Sequence, residues 1–399
     1  MKNSFKFTLL LTLMLYTPIL QAQQADLATY LLGITNTDAL KSRLHILQAQ
    51  TLSQENEILS DGFYFNGQLG YAKSKIEDRN VLEYQIGVEK SLLLGNTQAY
   101  KNALNYSLDI EKKLQTAKIE NFIYQNYINS CFLKEKISIL KDEKQKDAKM
   151  TALIKIGFKG GEFDLSSLYR SQINVENLTL SLIDLESQYQ QSLQKLNLFT
   201  RNSLEEPQCS DLPTDIALFE EESFTNSPYF QALEINVKKK SALKNYRQSP
   251  IEQVTVGLGY NDEMDITRSV AYVQIPLTWG AKKTNSLEVA KQQELAAFTQ
   301  KNYLQKELET TLKAYKFQQH SNTKKLAYIN DKLILKAYKT VELIQERFQS
   351  GEANYLEYIS SQKTLFSYVL QTIQIRKDAL ATRATLYTKL GISPLKEQK

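Results

Sequence analysis

The sequence holds few of the residues on which enzymes and metal sites depend. Its 399 residues include two cysteines, two histidines and one tryptophan. His45 and His320 are isolated from each other, and no phosphate-binding glycine loop, metal-ligand spacing or nucleophile motif is present. These absences predict that the protein is not an enzyme and has no catalytic residue, cofactor site or metal site.

The two cysteines do not make a disulfide scaffold, because such scaffolds are small secreted domains dense in cysteine. Cys131 falls in a long helical pattern and Cys209 in an expected linker. The sequence leaves open whether the pair stays reduced, and these positions weigh against a bridge.

Long apolar runs are also absent. Beyond the N-terminal segment, no stretch stays apolar for the about 20 residues that a transmembrane helix needs. Lys2, Lys6, the apolar residues 7–15 and the small-residue exit at Ala22 are typical of a secretory signal peptide, which we predict at residues 1–22. Without those two lysines the formal charge falls from +5 to +3, which does not indicate a nucleic-acid partner.

Glycine and proline are missing from four long stretches that are rich in helix-forming residues. These stretches are 96–156, 162–206, 281–350 and 352–390. The two longest would extend about 90–105 Å as continuous helices, a length typical of coiled coils and helical tubes.

Two of these stretches carry apolar residues at seven-residue spacing. One series is Leu168, Val175, Leu182, Tyr189 and Leu196, and the other is Ile359, Phe366, Ile373, Leu380 and Tyr387. A sustained seven-residue spacing indicates helices packed nearly parallel along their length. An ordinary amphipathic core helix explains one such series alone, whereas two series in one chain favour an extended bundle.

A short signature occurs twice, at residues 158–164 and 348–354, with an offset of 190 residues. Similarity at a fixed offset indicates an internal duplication. In each copy a glycine can take a positive φ where the incoming helix ends, and a polar residue can cap the outgoing helix. These pairs are Gly161 with Asp164 and Gly351 with Asn354. Glu357 stands three residues after the second cap, which is the spacing of a capping box.

Apolar and polar residues alternate in four segments, at about 63–72, 81–92, 251–260 and 269–278. Such alternation predicts strands with one apolar face, joined here into two hairpins. The predicted organisation is a first repeat at 23–206 with its tip at about 157–164, a linker at 207–228, a second repeat at 229–391 with its tip at about 348–354, and a tail at 392–399.

Strands of about ten residues with an apolar outer face suit an outer-membrane barrel, and aromatic residues near their ends suit its interfaces. Phe63, Phe65 and Trp279 are such aromatic residues. Four strands cannot close a membrane barrel, and an open edge in lipid is costly. A membrane barrel must therefore be shared between chains; the alternative is a soluble sheet of two hairpins packed on helices.

Both tips, the strand endings and the closing segment of each half together carry a family resemblance. These segments are 158–161, 348–351, 94–95, 275–280, 193–197 and 387–391. Through them nearly the whole mature chain resembles the TolC family of outer-membrane efflux proteins. The resemblance implies a fold that is mainly α with β, in which a duplicated strand-hairpin and long-helix repeat forms a homotrimer. The trimer combines a twelve-stranded outer-membrane β-barrel with a continuous periplasmic α-helical barrel.

The resemblance also implies partners and a place in the cell. Family members lie among the lipids of the outer membrane of Gram-negative bacteria, and their periplasmic tips meet a membrane-fusion adaptor. The adaptor connects to an inner-membrane pump of the RND or ABC type. The chain is then the passive exit duct of a tripartite efflux pump or type I secretion system, with its loops 72–80 and 261–268 outside the cell. Drugs, metal ions and polypeptides all stay open as cargo.

The resemblance assigns functional residues to the tips. The periplasmic entrance gate falls on Phe348, Glu357 and Ser360, where the family pattern has a hydroxylated aromatic residue and two acidic residues. Ala353 stands where a basic residue is usual, so the family lock is only partly present. Glu357 can join an acidic ring, complete the capping box with Asn354, or do both. The adaptor-docking positions are Lys159, Gly160, Gly161, Ser350 and Gly351.

One alternative function belongs to a different class, namely a periplasmic or cell-surface coiled-coil structural protein without a pore. The repeated hairpins of membrane type favour the duct. Solubility without detergent, together with silence in planar bilayers, would favour the structural protein.

Overall fold

The computed structural model describes residues 24–58, 62–73, 80–198, 206–212, 226–249, 251, 253–263, 266–275 and 281–394. The predicted signal peptide, Trp279 and parts of the predicted linker, outer loops and tail lie outside these residues. Within them, no helix combines the length and the apolar character needed to cross a membrane.

Helices make up most of the described chain. They are α1 (Leu27–Leu32), α2 (Asp38–Ile58), α3 (Gly95–Gly160), α4 (Leu165–Asn197), α5 (Pro228–Gln248), α6 (Ala281–Tyr328), α7 (Leu335–Gln349) and α8 (Tyr355–Leu390). A π-helical turn at Ile329–Ile334 joins α6 to α7, whereas α3 is one continuous helix of 66 residues. The long helices continue so far because their interiors contain no proline and almost no glycine.

The described strands form two sheets, one of four strands and one of two. The strands of both sheets are β1 (Gln24–Ala25), β2 (Phe63–Lys73), β3 (Asn80–Leu93), β4 (Glu206–Pro207), β5 (Gln253–Glu263) and β6 (Ile266–Gln274). The large sheet is antiparallel with the order β2-β3-β5-β6, and β1 pairs in parallel with β4. The two strands of each hairpin pair with each other, and the two hairpins pair through β3 and β5. The order of the strands in the sheet is therefore their order in the chain.

One face of the large sheet is apolar. The register aligns Phe65, Val88, Leu258 and Ala271 in a single row across the four strands. Side chains alternate between faces along a strand, so the neighbouring rows on this side are also mostly apolar. Phe65 is 78% exposed and Leu258 is 67% exposed, so the described part of the chain leaves this face uncovered.

The chain divides into two compact units, each drawn from both halves of the sequence. One unit combines residues 1–34, 122–216 and 324–381, and the other combines 35–121, 217–323 and 382–399. The first unit contains both hairpin tips, and the second contains the four-stranded sheet.

The first unit is organised around a seam between α3 and α4. Its buried cluster consists of Leu133, Ile137, Leu140, Leu182, Tyr189 and Leu193. The seven-residue series predicted for α4 is buried at Leu168, Leu182, Tyr189 and Leu196. The spacing therefore indicated the correct face of this helix, because residues seven apart return to nearly the same side after two turns.

The second unit has its own core where α6 packs against the end of α8. Leu308, Leu312, Tyr315, Leu386, Tyr387 and Leu390 are buried there. Gly391 ends α8 with φ of +70°, and a Cβ at this position would lie 2.4 Å from the Leu114 side chain. Asn121 donates its amide to the carbonyl of Ile392 at 2.8 Å. The close approach of Leu114 to Gly391 and the hydrogen bond from Asn121 both hold the chain in place where α8 ends.

A disulfide bond joins Cys131 to Cys209, with the two Cα atoms 5.4 Å apart. The positions of the two cysteines in the sequence weighed against a disulfide bond, and the structure contradicts that expectation. Residues 206–212 follow α4 but fold back onto α3, and that approach brings the two thiols together. The distance between the two cysteines along the sequence does not indicate that residues 206–212 pack back against α3.

Other contacts hold the same segment against α3. The Tyr127 hydroxyl donates to the carbonyl of Gln208 one turn before the disulfide, and Lys134 forms a 2.8 Å ion pair with Glu206 about one turn after it. The N–H of Gln208 also bonds to the carbonyl of Ala25 at 2.8 Å. The disulfide therefore belongs to a junction that includes the N-terminal strand.

Replacing both cysteines with serine should lower the free energy of unfolding of the first unit by about 4 kcal/mol, because the cross-link closes a loop of 78 residues. Urea titration followed by circular dichroism measures the change. Wild-type protein with reductant should resemble the double variant, and reductant should not affect that variant. Equal wild-type midpoints with and without reductant would contradict the expectation.

Candidate functional site at the hairpin tips

The turn between α3 and α4 is a Schellman motif centred on Gly161, which has φ of +79°. The N–H of Gly161 bonds to the carbonyl of Phe158 at 3.2 Å, and the N–H of Glu162 bonds to the carbonyl of Gly157 at 2.8 Å. A Cβ at position 161 would meet nothing within 4 Å. Glycine is therefore required here by backbone conformation and not by lack of space.

The turn between α7 and α8 repeats this motif. Gly351 has φ of +77°, and its N–H bonds to the carbonyl of Phe348 at 3.2 Å. The N–H of Glu352 bonds to the carbonyl of Arg347 at 2.8 Å. The duplicated signature thus specifies the same hydrogen bonds in both turns.

Asp164 and Asn354 cap the helices that leave the turns. Asp164 Oδ1 accepts from the N–H of Ser167 at 2.8 Å, and Asn354 Oδ1 accepts from the N–H of Glu357 at 3.0 Å. Ser167, through its side chain and then its backbone, lowers the pKa of Asp164. Asn354 Nδ2 lies 3.5 Å from Glu357 Oε1. The Glu357 side chain thus reaches the amide of the capping residue, whereas a capping box would engage the backbone N–H.

Phe348 joins the two tips through aromatic stacking. Its ring centroid lies 5.7 Å from that of Phe163 in the first tip and 5.5 Å from that of Tyr358 on α8. Ile154 and Ile359 belong to the buried cluster against which Phe348 and Phe163 pack. The aromatic residue predicted for the gate therefore packs within its own chain.

The other predicted gate residues, Glu357 and Ser360, are exposed on α8. They line an open groove of about 640 Å³ together with Thr340, Ile344 and Leu356. Phe348 does not line this groove. Within one chain, the three predicted gate residues therefore do not converge on a single point.

The predicted docking positions are all exposed at the two turns. They are Lys159, Gly160, Gly161, Ser350 and Gly351. The Ser350 hydroxyl donates to the carbonyl of Arg347 at 3.0 Å, and Arg347 Nε lies 3.9 Å from Glu352 Oε2. The tips therefore expose charged side chains of both signs and the backbone of the turns. The aromatic stack holds the two tips together beneath these exposed groups.

Solved structures share this fold over nearly the whole chain, although no protein-family model and no curated protein matches the sequence. The outer membrane protein VceC from Vibrio cholerae aligns with a TM-score of 0.76 and 14% identity, covering 92% of this chain and 96% of that one. CusC aligns with a TM-score of 0.73 and 12% identity, covering 93% and 94%. The Campylobacter jejuni CmeC outer membrane channel aligns at 0.70 and 15%, covering 91% and 85%.

These neighbours are TolC-family outer-membrane channels. The chain has the TolC fold. The likeness extends across both repeats, since the alignments cover more than nine-tenths of the chain.

The TolC fold of this chain contains a buried acidic pair that the sequence prediction missed. Glu143 is 9% exposed and Asp147 is 5% exposed, both on α3, and Asn174 of α4 donates its amide to Asp147. Burial raises the pKa of both carboxyls, and the charge of Asp147 raises the pKa of Glu143 further. Lys363 of α8 and Lys146 act in the opposite direction on Asp147.

Two tyrosines of α8 share the environment of this pair. Burial, followed by the charge of Asp147, raises the pKa of Tyr355 to about 12. Burial also raises the pKa of Tyr358, whose hydroxyl accepts from the Gln362 amide at 3.0 Å. The signal that could have revealed Asp147 is a seven-residue series on α3, to which Glu143 does not belong. That series is Leu133, Leu140, Asp147 and Ile154, and all four members are buried.

Gly161→Ala should destabilise the first unit by about 1 kcal/mol, because alanine resists a positive φ. Gly160→Ala is the matched control. Gly160 does not have a positive φ and a Cβ there meets nothing within 4 Å, so alanine should stabilise by about 0.5 kcal/mol. Thermal unfolding of both variants measures the difference. Similar shifts in both proteins would rule out the backbone explanation.

Acidification should stabilise the first unit through Glu143 and Asp147. Their pKa values are raised in the folded state, so folding favours the neutral forms, and this contribution is lost as pH rises through the raised values. We expect the melting temperature of the wild type to be higher at about pH 5 than at about pH 7. The melting temperature of the double variant Glu143→Gln, Asp147→Asn should increase less over the same change in pH.

Glu176→Gln is the control for this experiment, because Glu176 is exposed on α4. It should keep the wild-type response to pH. An equal rise in the wild type and the double variant would show that the buried pair does not contribute.

Proposed function

We propose that this chain is one protomer of a homotrimeric outer-membrane channel, the exit duct of a tripartite efflux pump or type I secretion system in a Gram-negative bacterium. The observation that carries the proposal is the four-stranded sheet, which combines an exposed apolar face with two outer strands. The TolC fold of the neighbouring channels supports the same conclusion.

The two outer strands explain why three copies are proposed. β2 and β6 each have one neighbour in the sheet and so leave one backbone edge unpaired among the described residues. If β2 of one protomer pairs with β6 of the next, three sheets close into a barrel of twelve strands. Closure satisfies the edge hydrogen bonds, which lipid cannot do.

Strand length and face chemistry agree with a membrane position. β2 and β5 have 11 residues each and β6 has 9, close to the about 9–11 residues of tilted membrane strands, and β3 is longer with 14. In the proposed barrel the row containing Phe65 and Leu258 contacts lipid, and the polar face lines the lumen. The long helices then form the periplasmic part of the duct.

The hairpin tips are proposed as the periplasmic entrance. Two tips per chain give six around the mouth of a trimer, and their exposed positions would dock a periplasmic membrane-fusion adaptor. The adaptor would link the duct to an inner-membrane pump of the RND or ABC type. Glu357 and Ser360, both exposed, would face the constriction, whereas Phe348 would hold the two tips of each chain together.

Transport through the duct would be passive. The tips offer caps, stacked rings and an exposed carboxylate, and none of these groups forms a nucleophile with an activating base or a cofactor pocket. The partner pump would supply both the energy and the choice of cargo. The protein would therefore act as a transporter component and not as an enzyme.

Purified protein in planar bilayers tests the proposal. We expect a detergent-extracted trimer that gives discrete single-channel conductance. A protein that stays soluble and monomeric without detergent and remains silent in bilayers would instead support a periplasmic or cell-surface coiled-coil structural protein.

A matched pair of variants tests the orientation of the sheet. Leu258→Arg places a charge on the apolar face and should destabilise the membrane trimer by about 2–4 kcal/mol near the bilayer midplane. Gln85→Arg places the same charge on the polar face and should have little effect. The yield of folded trimer resistant to detergent denaturation measures both. Equal yields would contradict a lipid-facing apolar side.

A further inference from the structure

The same buried positions recur on α3 and on α6, and they reveal how far the two repeats are offset. Up to the start of the π-helical turn, the offset is 189 residues. The buried pairs at this offset are Ile119 with Leu308, Ile123 with Leu312, Ser130 with Gln319, Leu133 with Asn322, and Leu140 with Ile329. An offset of 190 residues would instead match each of these α3 positions with an exposed residue of α6 or of the turn.

Beyond the turn the offset is 190 residues, the value that also relates the two tips. Asp147 and Ala337 are both buried at this offset. The return helices keep it at Ser171 and Ser361, where each hydroxyl donates at 2.7 Å to the carbonyl three residues earlier. The second repeat therefore has one extra residue, and that residue lies between Ile329 and Ala337.

The π-helical turn at Ile329–Ile334 absorbs the extra residue. A π-helical hydrogen bond spans one residue more than an α-helical one, so a single such turn takes up one residue without rotating the helix that follows. Leu140 and Asp147 are seven residues apart, whereas Ile329 and Ala337 are eight. In an uninterrupted α-helix the eighth residue would turn Ala337 about 100° away from the seven-residue position. Ile329 and Ala337 are both buried, so the turn corrects this rotation.

The turn is a weak point in a long helix. π-helical turns are rare, and sharp bends of helices concentrate at them. Asn330, Asp331 and Lys332 are exposed. Asn330 Oδ1 accepts from the Thr372 hydroxyl of α8 at 3.4 Å, but the same hydroxyl also bonds to the carbonyl of Tyr368 at 3.1 Å. This contact between the turn and α8 is long and shared, so it restrains the turn only weakly.

We propose that Ile329–Ile334 is a hinge, built from the single extra residue of the second repeat. The chain bends there because the extra residue is not needed to keep the buried face in register. By contrast, α3 continues for 66 residues without such a turn and carries the first tip on an unbroken helix. The two tips therefore have matching turns but stand on helices of unequal stiffness. The hinge concerns the helices of this chain alone and does not depend on the proposed duct.

Deletions of one residue test the hinge in the full-length protein in detergent. Deleting Asp331 should convert the π-helical turn into regular α-helix, because Ile329 and Ala337 then stand seven residues apart. We expect this variant to keep the wild-type circular dichroism and to melt at the wild-type temperature or above it. Deleting Lys332 should give the same result, since the number of residues matters and not a particular side chain.

Deleting Asp142 from α3 is the matched control. Asp142 is exposed and stands two residues after Leu140, as Asp331 stands two residues after Ile329. Because α3 has no extra residue, this deletion would turn Ile154 about 100° off the buried face. We expect it to lower the melting temperature and the yield of folded protein strongly.

Hydrogen exchange measures the mobility of the hinge directly. In the wild type we expect the amides of residues 330–336 to exchange several-fold faster than those of residues 141–147. Deleting Asp331 should remove this difference. Equal exchange in the two wild-type segments, or a difference that survives the deletion, would overturn the hinge.

The stability of the variants gives two further ways to refute the hinge. It is wrong if the deletions of Asp331 and Lys332 both unfold the protein as the deletion of Asp142 does. It is also wrong if the deletion of Asp142 is tolerated equally well, because the extra residue would then not be special to the second repeat. A protein that is silent in planar bilayers would overturn the proposed duct and leave the hinge unaffected.

Discussion

The unpaired edges of the four-stranded sheet constrain everything else in this molecule. Among the described residues, β2 and β6 each leave one backbone edge unpaired, beside an apolar face on which Phe65 and Leu258 are exposed. In lipid the apolar face is favourable, but each unpaired backbone group at the strand edges costs several kcal/mol. In water the edges can bond to solvent, but an exposed apolar face promotes association. Pairing between copies, as proposed above, would meet both demands, because it would satisfy the strand edges and leave the apolar face in contact with lipid.

Much of the fold was accessible from the sequence because its signals are periodic. Alternation identifies a strand face through a period of two, and the series ending at Leu196 identifies a helix face through a period of seven. The tip glycines were accessible for a different reason: Gly161 and Gly351 are the points where a helix must reverse, and only glycine takes the required φ without strain. Each of these signals is local, so a single sequence contains it in full.

The features that the sequence did not reveal depend on contacts between distant segments. The disulfide forms because residues 206–212 return to α3, and nothing near Cys209 announces that return. Phe348, which the sequence predicts for the gate, stacks on Phe163, a residue from the other repeat. Asp147 was overlooked because a charged residue is normally assigned to a solvated face, although its seven-residue partners Leu140 and Ile154 are apolar. In that case periodicity was the better guide than residue type.

The two tips show how a duplicated unit can keep its turns and change its packing. Their hydrogen bonds match, since the turn depends on backbone and one glycine. Their side chains differ: Phe163 of the first tip corresponds to Ala353 of the second, and only the phenylalanine can stack on Phe348. Close by, Glu143 and Asp147 occupy seam positions where leucine would pack more tightly. Backbone geometry therefore fixes the two turns, whereas the seam beside them gains less from burial at Glu143 and Asp147 than an apolar seam would.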